Sequence, residues 1–255
     1  MIDWTYSPRR DVSAKIKRRV TQWRCAAPAQ VSCKQPIVTF TFDDFPRSAI
    51  EGADIVEKYG GRAGFYACTS MLGKNGPMGE MFTATDLSEL SKRGHEIGAH
   101  THSHVDCAQA DTTHCLRDVA DNLSAMKQSG LDLEVSALAY PYGETQFPLK
   151  EELAPKFLTG RGVLPGLNLG TVDRLQLRAV ELDQSSTAES RAFAMLDKAI
   201  ETNAWLIFFS HDVSNEPTDF GTTPDLLEAL CKRAVDLGAV LATPTRGATL
   251  AGISQ

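Results

Sequence analysis

The sequence predicts an α/β barrel, because short apolar segments alternate with helical segments from residue 36 onward. Strands that alternate with helices along a chain form parallel sheets joined by crossovers. About seven or eight such units fit the available length, which favours a closed or nearly closed barrel. The 255 residues allow one or two domains by length, and one barrel accounts for them equally well.

The predicted strands are short segments rich in β-branched and aromatic residues. In chain order they cover residues 37–42, 63–69, 95–98, 135–140, 177–182, 205–210 and 240–243. Apolar residues at helical spacing predict helices between them. These helices cover residues 48–59, 85–94, 111–128 and 186–202, and a further one begins at residue 223.

Three helix starts have capping signals. Thr85 is expected to cap the second helix, and Ser186 with Glu189 forms a capping box for the fourth. Thr223 followed by Pro224 begins the fifth. Residues 71–82 contain three glycines and one proline, which predicts a long loop.

Residues 1–34 form a basic N-terminal arm that is distinct from the expected catalytic domain, residues 35–255. Within the arm, residues 26–35 are predicted to be a linker. Residues 9–24 are expected to form a helix whose apolar stripe favours either contact with an anionic membrane or packing on the barrel or a second subunit. The stripe consists of Val12, Ile16, Val20 and Trp23, with Arg9, Arg10, Lys15, Lys17, Arg18, Arg19 and Arg24 around it.

The composition excludes several classes of protein. A net charge of −6 argues against nucleic-acid binding by the whole chain. No apolar run approaches the ~20 residues of a membrane span. The N-terminal residues lack the apolar core of a secretory signal, so we expect a cytoplasmic protein. The six cysteines, none in a Cys-x-x-Cys pair, are then expected to be reduced thiols.

Polar side chains follow four predicted strands, at the end where barrel enzymes have their active sites. Zinc is commonly held by imidazoles and a carboxylate, with one position left for water. His100 and His104 are spaced to converge on one ion, and one of two successive aspartates can complete the ligand set while the other faces the substrate water. The four groups are Asp43 with Asp44, His100 with His104, Tyr140 to Gly143, and His211 with Asp212.

These motifs closely resemble those of the polysaccharide deacetylase family, carbohydrate esterase family 4. Residues 41–44 read Thr-Phe-Asp-Asp, as in its first motif, and residues 100–104 match the second, His-[Ser/Thr]-x-x-His. A histidine follows the last apolar strand, as His211 does here. The third motif usually begins with arginine, whereas this chain has Ala139 before Tyr142 and Gly143. The resemblance covers about residues 36–245.

The resemblance implies a distorted (β/α)7 barrel that hydrolyses N-acetyl groups of sugar polymers. By position, it implies Asp43 as the general base and His211 as the general acid. The backbone N–H of Tyr142 is expected to stabilise the oxyanion. The implied metal ligands are Asp44, His100 and His104. Zinc is the expected ion, although cobalt or manganese fits the same ligands.

Two family residues have no clear counterpart in the sequence. An arginine of the third motif pairs with the catalytic aspartate, and Arg178 is the candidate replacement; the alternative is that no cation is needed. An aspartate of the fourth motif tunes the catalytic histidine. Asp183 is favoured for that role over Asp173.

The expected substrate is N-acetylglucosamine in a bacterial polysaccharide or its lipid-linked precursor. The chain's size, lack of a secretion signal and basic arm resemble bacterial holdfast polysaccharide deacetylases. An alternative is a cyclic-imide or allantoin-type amidohydrolase on the same barrel, which Ala139 favours and the intact Asp43–Asp44 pair opposes. A third class is an inactive sugar-binding module, which the complete set of candidate residues disfavours. The sugar linkage, the N- or O-acetyl bond and a homo-oligomeric state are left open.

Overall fold

The computed structural model describes residues 6–8, 11, 19–131 and 134–254. Most of the chain is organised around one parallel sheet, with helices between successive strands. The strands are β1 (Pro28–Val31), β2 (Ile37–Asp43), β3 (Gly64–Ala67), β4 (Asn75–Gly76), β5 (Gly79–Glu80), β6 (Glu96–Ala99), β7 (Ala137–Ala139), β8 (Thr159–Arg161), β9 (Gly170–Asp173), β10 (Val180–Glu181), β11 (Trp205–Ser210) and β12 (Val240–Leu241).

Amphipathic helices cover the sheet. They are α1 (Ile50–Lys58), α2 (Ala84–Lys92), α3 (Thr112–Gln128), α4 (Phe147–Leu153), α5 (Ala188–Thr202), α6 (Pro224–Asp236) and α7 (Pro244–Leu250). Residues 19–23 are also helical. Short 3₁₀ turns occur at Arg47–Ala49, Thr69–Met71 and Pro141–Gly143. Within the described part of the chain, no helix combines the length and apolar character needed to cross a bilayer.

The main sheet curls into a barrel. Its strand order is β10-β11-β2-β3-β6-β7-β8, all neighbouring pairs are parallel, and β12 also pairs with β2. A parallel bridge between Arg161 and Leu177 links β8 to the segment that leads into β10. The distorted (β/α)7 barrel expected from the sequence is therefore confirmed, with the seam between the two edge strands closed by this short bridge.

The central strands β2 and β11 coincide with two of the apolar segments from which strands were predicted. Every residue of β2 and β11 is buried, as expected for parallel strands covered by helices on one face and the barrel interior on the other. Phe40 and Phe208 face each other in register, with ring centroids 5.4 Å apart. These two strands carry the first and last of the polar groups predicted to form the site.

Two of the three predicted helix caps are wrong. Thr83, not Thr85, begins α2: its hydroxyl accepts from the backbone of Asp86, whose carboxylate accepts from the backbone of Thr83. The capping box predicted for α5 does not form, since Thr187 is its N-cap and makes no side-chain cap bond. The Thr223 cap is confirmed by its bond from the Leu226 amide at 3.3 Å.

The linker predicted at residues 26–35 is wrong in part. Four of its residues form β1, which pairs antiparallel with β9. Asp173, at the end of β9, also accepts from the amides of Ala26 and Ala27. This segment is therefore attached to the barrel by backbone pairing, while the boundary between arm and catalytic domain stays a prediction. The loop predicted at residues 71–82 contains the small β4–β5 hairpin.

Candidate active site and metal centre

The site is built at the carboxyl ends of the parallel strands. Asp43 is the last residue of β2, and Asp44 follows it. His100 follows β6, and His211 follows β11. Because the strands are parallel, these side chains meet at one end of the barrel, where such folds have their active sites.

The loops at this end hold non-glycine residues in the left-handed backbone region. Asp44, Thr101, His104 and Tyr142 all have φ between 57° and 59°. A non-glycine residue in that region costs on the order of 1–3 kcal/mol and persists only where its surroundings impose it. This strain occurs after three different strands, next to the candidate site. The backbone there is held in a costly conformation that positions the side chains of the site.

Three side chains converge on a possible metal position. Asp44 Oδ1 lies 3.4 Å from Nε2 of His100 and 3.2 Å from Nε2 of His104. The potential ligand atoms of the three residues all lie within 4.8 Å of one another. Two imidazoles and one carboxylate are a ligand set that leaves coordination positions open for water and substrate.

The chemistry of the ligands fits an ion. His100 Nδ1 lies 2.9 Å from the carbonyl oxygen of Ala139, so Nδ1–H donates there and Nε2 keeps its lone pair for the metal position. Burial lowers the pKa of His100 to about 4, which keeps the imidazole neutral at physiological pH. For His104, burial acts in the same direction, but the Asp44 carboxylate outweighs it and raises the pKa.

Asp44 is the third candidate ligand, and its Oδ1 atom has no hydrogen-bond partner. Burial alone disfavours its charged form, yet the neighbouring His104, His100 and His211 together hold its pKa below the usual range. Its Oδ1 is buried without a hydrogen bond. A buried carboxylate oxygen normally has a partner, and a cation between Asp44 and the two imidazoles would provide one.

Asp43 is held by a buried arginine. The guanidinium of Arg161 donates from Nη2 to both carboxylate oxygens, and both side chains are buried. Arg161 also donates from Nη1 to the carbonyl of Gly162 at 3.1 Å, and it lies 4.7 Å from the ring centroid of Phe209. The pair fixes the orientation of the Asp43 carboxylate beside the candidate metal position.

His211 lies half-buried across the site. Its Nδ1 is 3.3 Å from the carbonyl oxygen of Phe220, and its backbone amide donates to the same oxygen at 3.1 Å. Tyr142 stands on the other side, with its ring 4.6 Å from that of His104 in an edge-on arrangement. The site thus places an anchored carboxylate, a three-ligand cluster and an imidazole around one position.

Comparison with known proteins identifies the family. Residues 30–154 match the family model described as polysaccharide deacetylase. The chain belongs to the polysaccharide deacetylase family. It is therefore a hydrolase that removes acetyl groups from polysaccharide, as the resemblance in its motifs implied. No curated protein matches the chain by sequence.

Solved structures share the fold of this polysaccharide deacetylase. A family 4 acetyl xylan esterase from Clostridium thermocellum, in complex with a cobalt ion, is 24% identical, with a TM-score of 0.62 over 86% of this chain and 93% of that one. A peptidoglycan deacetylase from Bacillus subtilis is 18% identical, with a TM-score of 0.57 over the same shares. A chitin deacetylase from Colletotrichum lindemuthianum is 16% identical, with a TM-score of 0.59 over 91% and 94%.

The prediction for Arg178 is wrong. Its side chain is exposed, and Nη1 donates to the carbonyl oxygen of Pro165 at 3.1 Å. Arg161 occupies the place beside Asp43 instead. Ala139, where the family has its motif arginine, is the register partner of Arg161 on the next strand. The cation beside Asp43 thus comes from the paired position of β8 instead of from β7, and whether activity needs this cation stays a prediction.

The structure does not bring Asp183 to His211 either. One carboxylate oxygen accepts from the amide and hydroxyl of Ser185, and the other accepts from Arg191 at 2.9 Å. Asp173, the alternative, binds Lys150 at 2.8 Å. Glu181 lies in the same segment: burial and the Asp183 carboxylate raise its pKa, and His211 opposes that shift.

Proposed function

We propose that this polysaccharide deacetylase is metal-dependent, holds zinc, and removes N-acetyl groups from N-acetylglucosamine units of a bacterial polysaccharide or its lipid-linked precursor. The observation that supports the proposal most directly is the Asp43–Arg161 pair beside the Asp44, His100 and His104 cluster. A charged carboxylate fixed next to a three-ligand site is the arrangement that base-assisted hydrolysis needs.

The chain's own residues supply the proton transfers. Asp43 accepts a proton from the attacking water, and Arg161 keeps its carboxylate aimed at that water. A divalent ion held by the three ligands would polarise the acetyl carbonyl as a Lewis acid. The backbone N–H of Tyr142 adds to oxyanion stabilisation, and His211 donates a proton to the leaving amine nitrogen.

A panel of candidate substrates tests which class the enzyme hydrolyses. We expect acetate release from N-acetylglucosamine oligomers, loss of that activity when metal is removed, and recovery with zinc. Acetylated xylan tests the O-acetyl bond, and cyclic imides test the alternative amidohydrolase. Arg161 weakens that alternative, because the missing cation at Ala139 was its main support. Turnover of imides without acetate release would overturn the proposed function.

Replacing one ligand is expected to remove the ion. His104→Ala deletes one of three protein ligands, so we expect less than one tenth of the wild-type metal content after dialysis, measured by atomic emission. The control is His114→Ala, an exposed histidine on α3. Full metal retention by His104→Ala, with the control also unchanged, would contradict the ligand assignment.

The N-terminal arm supports a second part of the proposal, a cytoplasmic enzyme that touches an anionic membrane. In the described helical residues 19–23, Val20 is 46% and Trp23 is 78% exposed, close to Arg19 and Arg24. Exposed apolar side chains among cations are typical of interfacial helices. Val12 and Ile16, the rest of the predicted stripe, lie outside the described residues.

Vesicle sedimentation tests this contact. We expect the full chain to pellet with anionic vesicles at low salt, less with neutral ones, and less after Val20→Ser with Trp23→Ser. The control is Leu237→Ser, which changes an apolar residue after the end of α6 that is as exposed as Val20. Equal sedimentation of all variants, or none for wild type, would overturn the membrane contact.

A further inference from the structure

Tyr6, in the N-terminal arm, reaches the active site. The hydroxyl of Tyr6 donates to Oδ2 of Asp106 at 2.6 Å, and its ring centroid lies 5.2 Å from that of Tyr142. Tyr142 in turn contacts His104. An aromatic series therefore leads from Tyr6 to a candidate metal ligand. Tyr6 lies outside residues 30–154, the part that matches the family model.

The other end of the arm is fixed to the barrel by a buried lysine. Lys150 Nζ lies 2.9 Å from the carbonyl oxygen of Thr21 and 2.8 Å from that of Arg24. The same amine lies 2.8 Å from Asp173 and from Gln176. A buried ammonium group is tolerated only with such partners, so these carbonyls are held in place. Both ends of the segment between Tyr6 and Arg24 are thus attached to the catalytic barrel.

We propose that Tyr6 is a specificity-determining residue that forms one wall of the substrate cleft and packs against a sugar ring next to the acetylated one. The inference rests on the proposed function. The bond to Asp106 orients the phenol, while 39% of the residue remains exposed beside the site. A tyrosine ring presents a large apolar face at a low cost in conformational entropy, and the CH face of a pyranose matches it.

The position of Tyr6 defines which substrates it affects. The acetyl group and its own sugar meet the cluster of Asp44, His100 and His104, whereas Tyr6 lies beyond Tyr142. An oligomer extends far enough to meet Tyr6, and a small acetyl ester does not. The residue therefore contributes to binding of longer chains and little to the chemical step.

Kinetics with two substrates test this role. For Tyr6→Ala we expect KM for an N-acetylglucosamine tetramer to rise about fivefold, the value of one aromatic contact, with kcat changed less. KM for an aryl acetate ester should stay unchanged. Tyr6→Phe keeps the ring, so its KM for the tetramer should lie between those of wild type and Tyr6→Ala. Leu237→Ala serves as a surface control. An equal loss of kcat on both substrates, or no change on either, would overturn the proposal.

A binding measurement separates this inference from the proposed function. Calorimetry with the deacetylated tetramer should give about fivefold weaker binding to Tyr6→Ala than to wild type, without any reaction. If wild type bound the tetramer but released no acetate from any oligomer, the proposed function would be wrong. The comparison of affinities would still test the role of Tyr6 in binding. Equal affinity of Tyr6→Ala and wild type would overturn the role of Tyr6 alone.

Discussion

Asp43→Asn is expected to slow acetate release by about 10²–10⁴, the usual contribution of a positioned base. The amide keeps the shape of the side chain but cannot accept the proton of the attacking water. Asp43 does not belong to the three-ligand cluster, so the metal content should stay at the wild-type value. Acetate release and metal content, measured on the same preparation, check both parts.

Asp44→Asn is the matched control for this experiment. It makes the same chemical change one residue later, in the side chain that lies 3.2 Å from His104. We expect this variant to lose both the ion and the activity. If Asp43→Asn kept its turnover with normal metal content, the base would be another residue. If both variants lost metal equally, the division of roles between the two aspartates would be wrong.

Motifs at strand ends were predictable because each one is local. Asp43 and Asp44 follow one apolar strand directly, and His100 and His104 follow another with a spacing that the metal imposes. Because the carboxyl ends of parallel strands lie at the same end of a barrel, the two motifs can be predicted to lie close together. In the structure the potential ligand atoms of Asp44, His100 and His104 do converge, as this spacing predicts.

Arg161 was not predictable in the same way. Its three-residue strand β8 contains Gly160, is followed by Gly162 and has no apolar pattern, and its link to Asp43 spans 118 residues. The missing arginine at Ala139 was visible, but its replacement depends on the register between β7 and β8. Arg178 had the right charge and lay within the strand predicted at residues 177–182, and only the fold shows that its side chain is exposed.

The arm illustrates a second limit of sequence patterns. Residues 28–31 read Pro-Ala-Gln-Val, which is not a strand pattern, yet they form β1 by pairing antiparallel with β9. The buried Lys150 gave no signal either, since a lysine on a helix is normally solvated. Backbone carbonyls of Thr21 and Arg24 satisfy its amine, and such tertiary partners leave no trace in local sequence.

Arg161→Met is expected to lower the free energy of unfolding by about 3–5 kcal/mol, because it leaves the Asp43 carboxylate buried without its partner. Methionine fills a similar volume, so the loss reflects charge rather than a cavity. Activity should fall as well, since the base loses its orientation. Urea unfolding and acetate release at a temperature where the variant is folded check the two effects. Arg178→Met is the control, and a change within about 0.5 kcal/mol is expected for this exposed residue.

The double variant Arg161→Met with Asp43→Asn identifies the cause of the instability. If the unpaired charge is responsible, replacing Asp43 by a neutral amide removes most of the penalty, and the double variant is more stable than Arg161→Met alone. If Arg161 acts mainly through its packing on Phe209, the two losses add instead. Additive losses, or an Arg161→Met variant as stable as Arg178→Met, would contradict the assignment of Arg161 as the ion-pair partner of the Asp43 carboxylate.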